Sequence, residues 1–192
     1  MAQPPYLGVE PGAPISPKKR GIPAWLIAIL VVVGFIFVLV ASLFALGAYS
    51  YSKFLRAAKS AEAREMVGTM AKDAAAAYDR DMALCPSASN PVPIDINDIK
   101  GTKWMSAPSD WIVDKSSNSG FACLEFSMSD PQYYQYDYQS TGASAPGASF
   151  TAIAKGDLDG DGVQSLFTLE GRIVAGEVIT VSPTVIETHP EE

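Results

Sequence analysis

The chain has 192 residues and carries 14 Lys and Arg against 21 Asp and Glu, a formal net charge of −7. Residues 1–84 hold nine basic and six acidic residues, a net charge of +3, whereas residues 85–192 hold five basic and fifteen acidic residues, a net charge of −10. This length leaves room for one modest domain beside a membrane segment, and the acidic half excludes nucleic acid as a partner because phosphate binding needs positive counter-charge.

The first 21 residues predict a disordered cytoplasmic leader. Residues 1–17 contain five prolines and two glycines, and Glu10 is their single charged residue. Such a segment buries too little apolar surface to fold. A basic cluster of three residues, Lys18-Lys19-Arg20, and then Gly21 come directly before the next segment.

An uncharged apolar run from Ile22 to Ala48 predicts a transmembrane helix over residues 22–49. At ~1.5 Å per residue this helix is about 40 Å long, against roughly 30 Å of bilayer hydrocarbon. The apolar region of a signal peptide is about 7–15 residues long, so we interpret the run as a retained single span. The numbers of Lys and Arg before and after the span are nearly equal, so they do not determine its orientation. We place the N-terminus inside because two cysteines and an Asp-rich loop downstream suit an oxidising, calcium-containing exterior.

Residues 50–84 predict the soluble, amphipathic half of the same long helix. Apolar residues recur there at helical spacing, and the two uses of this stripe are packing on a head domain and contact with another protein. We favour packing on the head. Cys85-Pro86 and the polar cluster after them predict the end of the helix. The residues of the stripe are Ala63, Met66, Val67, Met70, Ala74, Ala77 and Tyr78.

Residues 85–182 predict a β-rich head outside the membrane, and residues 183–192 a polar tail. A short helical segment is expected near Ile94–Lys100. Short runs rich in aromatic and β-branched residues then predict strands, which makes the fold α+β: a long N-terminal transmembrane-plus-soluble helix packed on a small antiparallel β-sheet. The predicted strands are Phe121–Met128, Tyr133–Gln139, Phe150–Ala154, Ser165–Leu169 and Glu177–Val181.

Three of the four tyrosines in the second predicted strand fall on one face of it. Alternation places Tyr134, Tyr136 and Tyr138 together, either as a platform for stacking a ligand or as core packing against the helix, and core packing is the commoner use. The one histidine of the chain, His189, lies in the predicted tail. Since no Ser-His or Cys-His pair can be assembled, we expect a protein that is not an enzyme.

Cys85 and Cys123 are the only cysteines of the chain. Export favours a disulfide between them over two unpaired buried thiols. Such a bridge would join the end of the long helix to the head and close a loop of about 38 residues. In the chain-entropy estimate this stabilises the fold by roughly 3–4 kcal/mol.

The segment Asp157-Leu-Asp-Gly-Asp-Gly resembles the first half of an EF-hand-type calcium loop. Its three aspartates alternate, as carboxylates that converge on one ion do, and Gly162 permits the sharp turn after them. The twelfth position is Thr168 instead of a bidentate glutamate. The alternative is a Gly-rich hairpin whose aspartates accept from turn amides. The sequence leaves both uses of the loop open, and calcium is the one candidate cofactor. Its predicted ligands are Asp157, Asp159, Asp161, the carbonyl of Val163, and Ser165 through water.

Three parts of the chain together resemble a type IV pilin-like protein. The head segments are most similar to those of pilin-like proteins in gliding deltaproteobacteria. The first is the basic cluster with Gly21 before a long apolar helix. The second is the amphipathic continuation Ala57-Ala-Lys-Ser-Ala-Glu-Ala-Arg-Glu65. The third is a set of head segments: Phe121-Ala-Cys-Leu-Glu-Phe, Tyr133-Tyr-Gln-Tyr and Phe150-Thr-Ala-Ile-Ala-Lys-Gly-Asp-Leu-Asp-Gly-Asp-Gly.

The resemblance implies a structural component of a type IV pilus or secretion pseudopilus in the bacterial inner membrane or on the cell surface. It implies cleavage between Gly21 and Ile22 by a prepilin peptidase and association with pilin or pseudopilin subunits through the N-terminal helix. Family members that form fibres usually carry a glutamate where this chain has Leu26. The alternatives are therefore a cleaved chain that assembles without that glutamate and an uncut, permanently anchored binding module.

Overall fold

A computed structural model describes residues 23–175 and 178–192 of the chain. The chain divides into two compact units, Met1–Gly47 and Ala48–Glu192. The predicted leader, residues 1–21, and Ile22 lie outside the described residues. Within them the architecture is α+β, a long helix and a small antiparallel sheet of five strands.

The long helix, α1, comprises Ala24–Asp81. It begins directly after Pro23, whose carbonyl accepts a hydrogen bond from the N–H of Leu26 at 2.9 Å. A proline suits this place because the first N–H groups of a helix have no intrahelical acceptor. The helix ends three residues before the predicted Leu84, because Met82 adopts a left-handed backbone conformation with φ 54°.

In the first unit, residues Ala24–Gly47 of α1 form a segment of 24 residues that is long and apolar enough to cross a membrane. None of its most apolar stretch is buried within the structure, which leaves large side chains such as Phe37 and Phe44 exposed. A span and a signal sequence share these properties.

In the second unit, the later part of α1 packs its apolar stripe into the core of the head. Six of the seven predicted stripe residues are buried, and Met66 is half-buried against them. Tyr134, Tyr136 and Tyr138 lie in the same core and are fully buried. The core use of both features, predicted from periodicity, is confirmed.

The sheet has five strands, β1 Gln135–Ser140, β2 Ser149–Gly156, β3 Ser165–Val174, β4 Val178–Val181 and β5 Ile186–Thr188. All pairs are antiparallel, with strand order β1-β2-β3-β4 and β5 beside β3. The outer edge of β1 is covered, because Val92 exchanges two backbone hydrogen bonds with Tyr136 at 2.8 and 2.9 Å. Two 3₁₀ turns precede the sheet, Ile96–Ile99 and Pro108–Trp111.

Two sequence predictions about the head are wrong. The first predicted strand, Phe121–Met128, begins with a short helix, α2, at Gly120–Leu124. Gly120 and Glu125 bound it with positive φ angles, and the helical turn directs Phe121, Cys123 and Leu124 all inward. The predicted tail, residues 183–192, contains β5, which pairs with Leu166–Thr168 of β3.

The disulfide between Cys85 and Cys123 is present, with 5.8 Å between the two Cα atoms. It joins the segment just after α1 to α2, and both cysteines are buried in the core. The predicted pairing is therefore confirmed.

Candidate functional site

The Asp-rich turn joins β2 to β3, at the end of the hairpin formed by these two strands. Asp157 follows Gly156 at the end of β2 and is buried, whereas Asp159 and Asp161 are exposed. One carboxylate oxygen from each aspartate lies within 4.8 Å of the others. The turn therefore gathers the three carboxylates that the sequence predicted as calcium ligands.

Backbone N–H groups of the turn already donate to these carboxylates. The two oxygens of Asp157 accept from Gly160 and Gly162 at 2.7 and 3.0 Å, and Asp161 accepts from Val163 at 2.7 Å. Positive φ angles of 79° and 99° at the two glycines permit this tight path. These contacts are those of the hairpin alternative. They leave lone pairs for a cation, since each carboxylate oxygen has two.

Two basic side chains offset part of the negative charge. A nitrogen of the Arg56 guanidinium on α1 lies 3.3 Å from a carboxylate oxygen of Asp159. The ammonium of Lys100 lies 3.9 Å from Asp157. The neighbouring N–H of Gly101 donates to the Asp157 carbonyl at 2.8 Å, which holds the 3₁₀ segment against the turn. A divalent cation would have to compete with these two bases.

Ser165, a predicted ligand, makes a structural hydrogen bond within the hairpin. Its hydroxyl is fully buried and donates to the carbonyl of Gly156 at 3.1 Å, so it closes the hairpin. Val163 follows the turn with its side chain exposed. The three aspartates are the part of the predicted ligand set that the fold brings together.

Sequence reasoning missed a fourth carboxylate beside this turn. The pKa of Glu192 is raised by burial and then by the charges of Asp159 and Asp161, while Arg56 opposes the rise. Glu192 is about thirty residues from the aspartates along the chain, so no local pattern could have indicated their proximity. The pairing of β5 with β3 returns the last residues to this end of the sheet.

The predicted cleavage residues, Gly21 and Ile22, lie outside the described residues. Comparison of the chain with protein-family models, with curated proteins and with solved structures finds no match.

Proposed function

We propose that this protein is a structural subunit or accessory component of a type IV pilus or a related secretion pseudopilus, anchored in the inner membrane by its N-terminal helix. The observation that carries the proposal is the contrast along α1. Its residues Ala24–Gly47 expose apolar side chains throughout, while its later residues bury one apolar stripe in the head. An apolar helix without cover needs lipid or other apolar helices around it.

The properties of the head support an exported position. The Cys85–Cys123 disulfide is typical of oxidising compartments outside the cytoplasm. The excess of ten negative charges in residues 85–192 favours solubility of a surface facing water. The proposal assigns the head no catalytic role.

The alternative is a permanently anchored binding module that never assembles. The two functions differ in whether the mature chain keeps Lys18, Lys19 and Arg20. An uncut chain would bury these charges unpaired among apolar helices, at a cost of several kcal/mol each, so assembly requires that they be removed. A cleaved chain would begin at Ile22.

Mass spectrometry of the N-terminus of the membrane-extracted protein tests the proposal. We expect a mature chain that begins at Ile22, and we expect Gly21→Val to retain the leader. Gly12→Val, a matched substitution within the leader, should leave cleavage unchanged. Peptides that join residues 1–20 to Ile22 in the mature protein would favour the anchored module.

Assembly is tested by shearing cells and measuring how much of the chain is released in filaments. We expect release of the cleaved chain and none of the Gly21→Val variant. Cleavage without any filament-associated chain would restrict the role to an accessory component within the membrane.

A further inference from the structure

The head contains a partly enclosed cavity of about 190 Å³ on the side of the segment that covers β1. Residues 90–94 line it together with three aromatic residues, Trp104, Trp111 and Phe121. The cavity is separate from the Asp-rich turn, with which it shares no lining residue.

Part of the cavity lining is buried and aromatic. Trp111 is buried, and its ring meets those of Phe121 and Phe126 edge-on at centroid distances of 5.0 and 5.4 Å. Its indole N–H has no acceptor within residues 23–175 and 178–192. Two further lining residues, Ile94 and Val113, remain 73% and 61% exposed. Exposed apolar side chains beside an aromatic cavity are typical of a binding site.

The charged residues that line the cavity are all acidic within the described part of the chain. Asp98, Asp110 and Asp114 line it, and no described lining residue is Lys or Arg. Asp110 accepts from the N–H of Ala107 at 2.7 Å, and Asp114 accepts from the N–H of Ser89 at 2.8 Å. Asp98 is exposed, and its carboxylate has no partner in the described part of the chain. An uncompensated carboxylate beside aromatic rings favours a cation with an apolar stem.

We propose that this cavity binds a Lys or Arg side chain of a partner protein. The stem lies against Trp104 and Trp111, and the charged group lies beside Asp98. The volume suits one side chain, since cavities for larger ligands measure about 300–1,000 Å³. Lys and Arg combine an apolar stem with a charged end in this way. The head already holds such contacts within itself, where Lys59 and Lys103 each lie 4.5 Å from the ring centre of Tyr133. This binding site goes beyond the anchored-subunit function and does not depend on it.

The test uses the full chain in non-ionic detergent micelles with ¹⁵N-labelled tryptophan. The chain has three tryptophans, so the spectrum contains three indole N–H signals, which Trp25→Phe and Trp104→Phe assign. The probes are the N-methylamides of Nα-acetyl-lysine and Nα-acetyl-arginine, and the neutral control is that of Nα-acetyl-norleucine.

We expect the two cationic probes to shift the signals of Trp104 and Trp111 saturably, with a Kd on the order of 1–10 mM for such small ligands. Trp25, in the apolar segment, should not respond. Added salt should weaken the binding because it screens the charges at the rim. Norleucine shifts equal to those of lysine, or no shift of either indole signal, would overturn the proposal.

Variants at the rim test the role of charge. Asp98→Asn should raise the Kd roughly two- to fivefold, as expected for an exposed ion pair, and Asp98→Lys should abolish binding. Asp130→Asn is the matched control, since Asp130 is also exposed but does not line the cavity. Binding by Asp98→Lys as tight as by the wild type would also overturn the proposal.

Discussion

At the scale of single residues, Glu62 makes one of the polar contacts between α1 and the sheet. One of its carboxylate oxygens accepts from the N–H of Tyr133 at 2.9 Å and from the hydroxyl of Tyr136 at 3.1 Å. Burial raises the pKa of Glu62 above 4.5, while these two hydrogen bonds and the charge of Lys103 oppose the rise. Burial, and then the charge of Glu62, likewise raise the pKa of Tyr136, which keeps its hydroxyl protonated as a donor.

This environment predicts how stability depends on pH. Since the folded-state pKa of Glu62 is raised, its contribution to the free energy of unfolding is complete below pH 4.5 and is lost as pH rises through the folded pKa. Glu62→Gln retains an acceptor oxygen and should remove this loss. Urea unfolding of the full chain in micelles between pH 4 and 8 measures it. Glu65→Gln, on the exposed side of α1, is the control, and an unchanged pH slope in Glu62→Gln would contradict the prediction.

The aspartates of the β2–β3 turn predict a response to calcium. If the ion binds the folded turn alone, saturating calcium should raise the Tm by mass action, with a Kd of about 10⁻⁴–10⁻³ M. Asp159→Asn combined with Asp161→Asn should abolish the rise, and Asp130→Asn should leave it unchanged. Thermal unfolding with and without millimolar calcium is the measurement. An unchanged Tm, with neutral or mildly stabilising substitutions, would leave the hairpin alternative.

At the scale of elements, two glycines leave room for aromatic rings against the buried face of the sheet. Gly171 of β3 stands opposite Phe150 of β2, and a Cβ at Gly171 would overlap the Phe150 ring. A Cβ at Gly156 would come within 2.6 Å of the Tyr134 ring. The two rings therefore occupy space beside the sheet backbone that a side chain at either glycine would fill.

A pair of Gly→Ala substitutions tests this packing. Gly171→Ala should destabilise the head by about 1–3 kcal/mol, because the core must shift to admit the new methyl group. Gly68→Ala in α1 meets nothing within 4 Å and should stabilise the helix by up to ~1 kcal/mol through its higher helix propensity. Urea unfolding compares the two variants with the wild type. Equal stability of Gly171→Ala and the wild type would show that the Phe150 ring does not need this space.

At the scale of the whole molecule, the chain consists of a unit that contains the apolar helical segment and a unit with a closed core. The two units suit different surroundings. The first exposes apolar side chains, which suits a lipid or protein environment, and the second buries its apolar side chains, which suits water. The apolar segment is either a retained span, which stays in the mature chain, or a signal sequence, which is removed from it.

We expect the mature chain to keep residues 24–47 and to stay in the membrane pellet after alkaline extraction. Leu39→Arg, near the middle of the segment, should weaken insertion, because a central arginine costs about 2.5–3.5 kcal/mol. Val178→Arg, at an exposed apolar position of the head, is the control and should extract like the wild type. Immunoblotting and intact mass measure both outcomes. A mature chain that lacks residues 24–47 would identify a signal sequence.

Features that depend on composition and on the local spacing of residues could be predicted from the sequence. The uncharged run after Arg20 determined the apolar segment of α1. The 3.6-residue spacing of Ala63, Val67 and Met70 determined the buried face of α1, and alternation determined that of Tyr134 and Tyr136. Cys85 and Cys123 are the only cysteines of the chain, so the sequence offered each of them one partner for a disulfide.

The tertiary structure decided the features in which residues distant along the chain meet. The apolar run from Phe121 fits a strand or a helical turn equally well, and its packing into the core beside the disulfide selected the turn. Ile186–Thr188 reads as a polar tail and becomes β5 because β3 offers it an unpaired edge. The same holds for the position of Glu192 beside the aspartates and for the cavity at Trp111. Both depend on contacts between residues that are distant along the chain, and the local spacing of residues carries no information about such contacts.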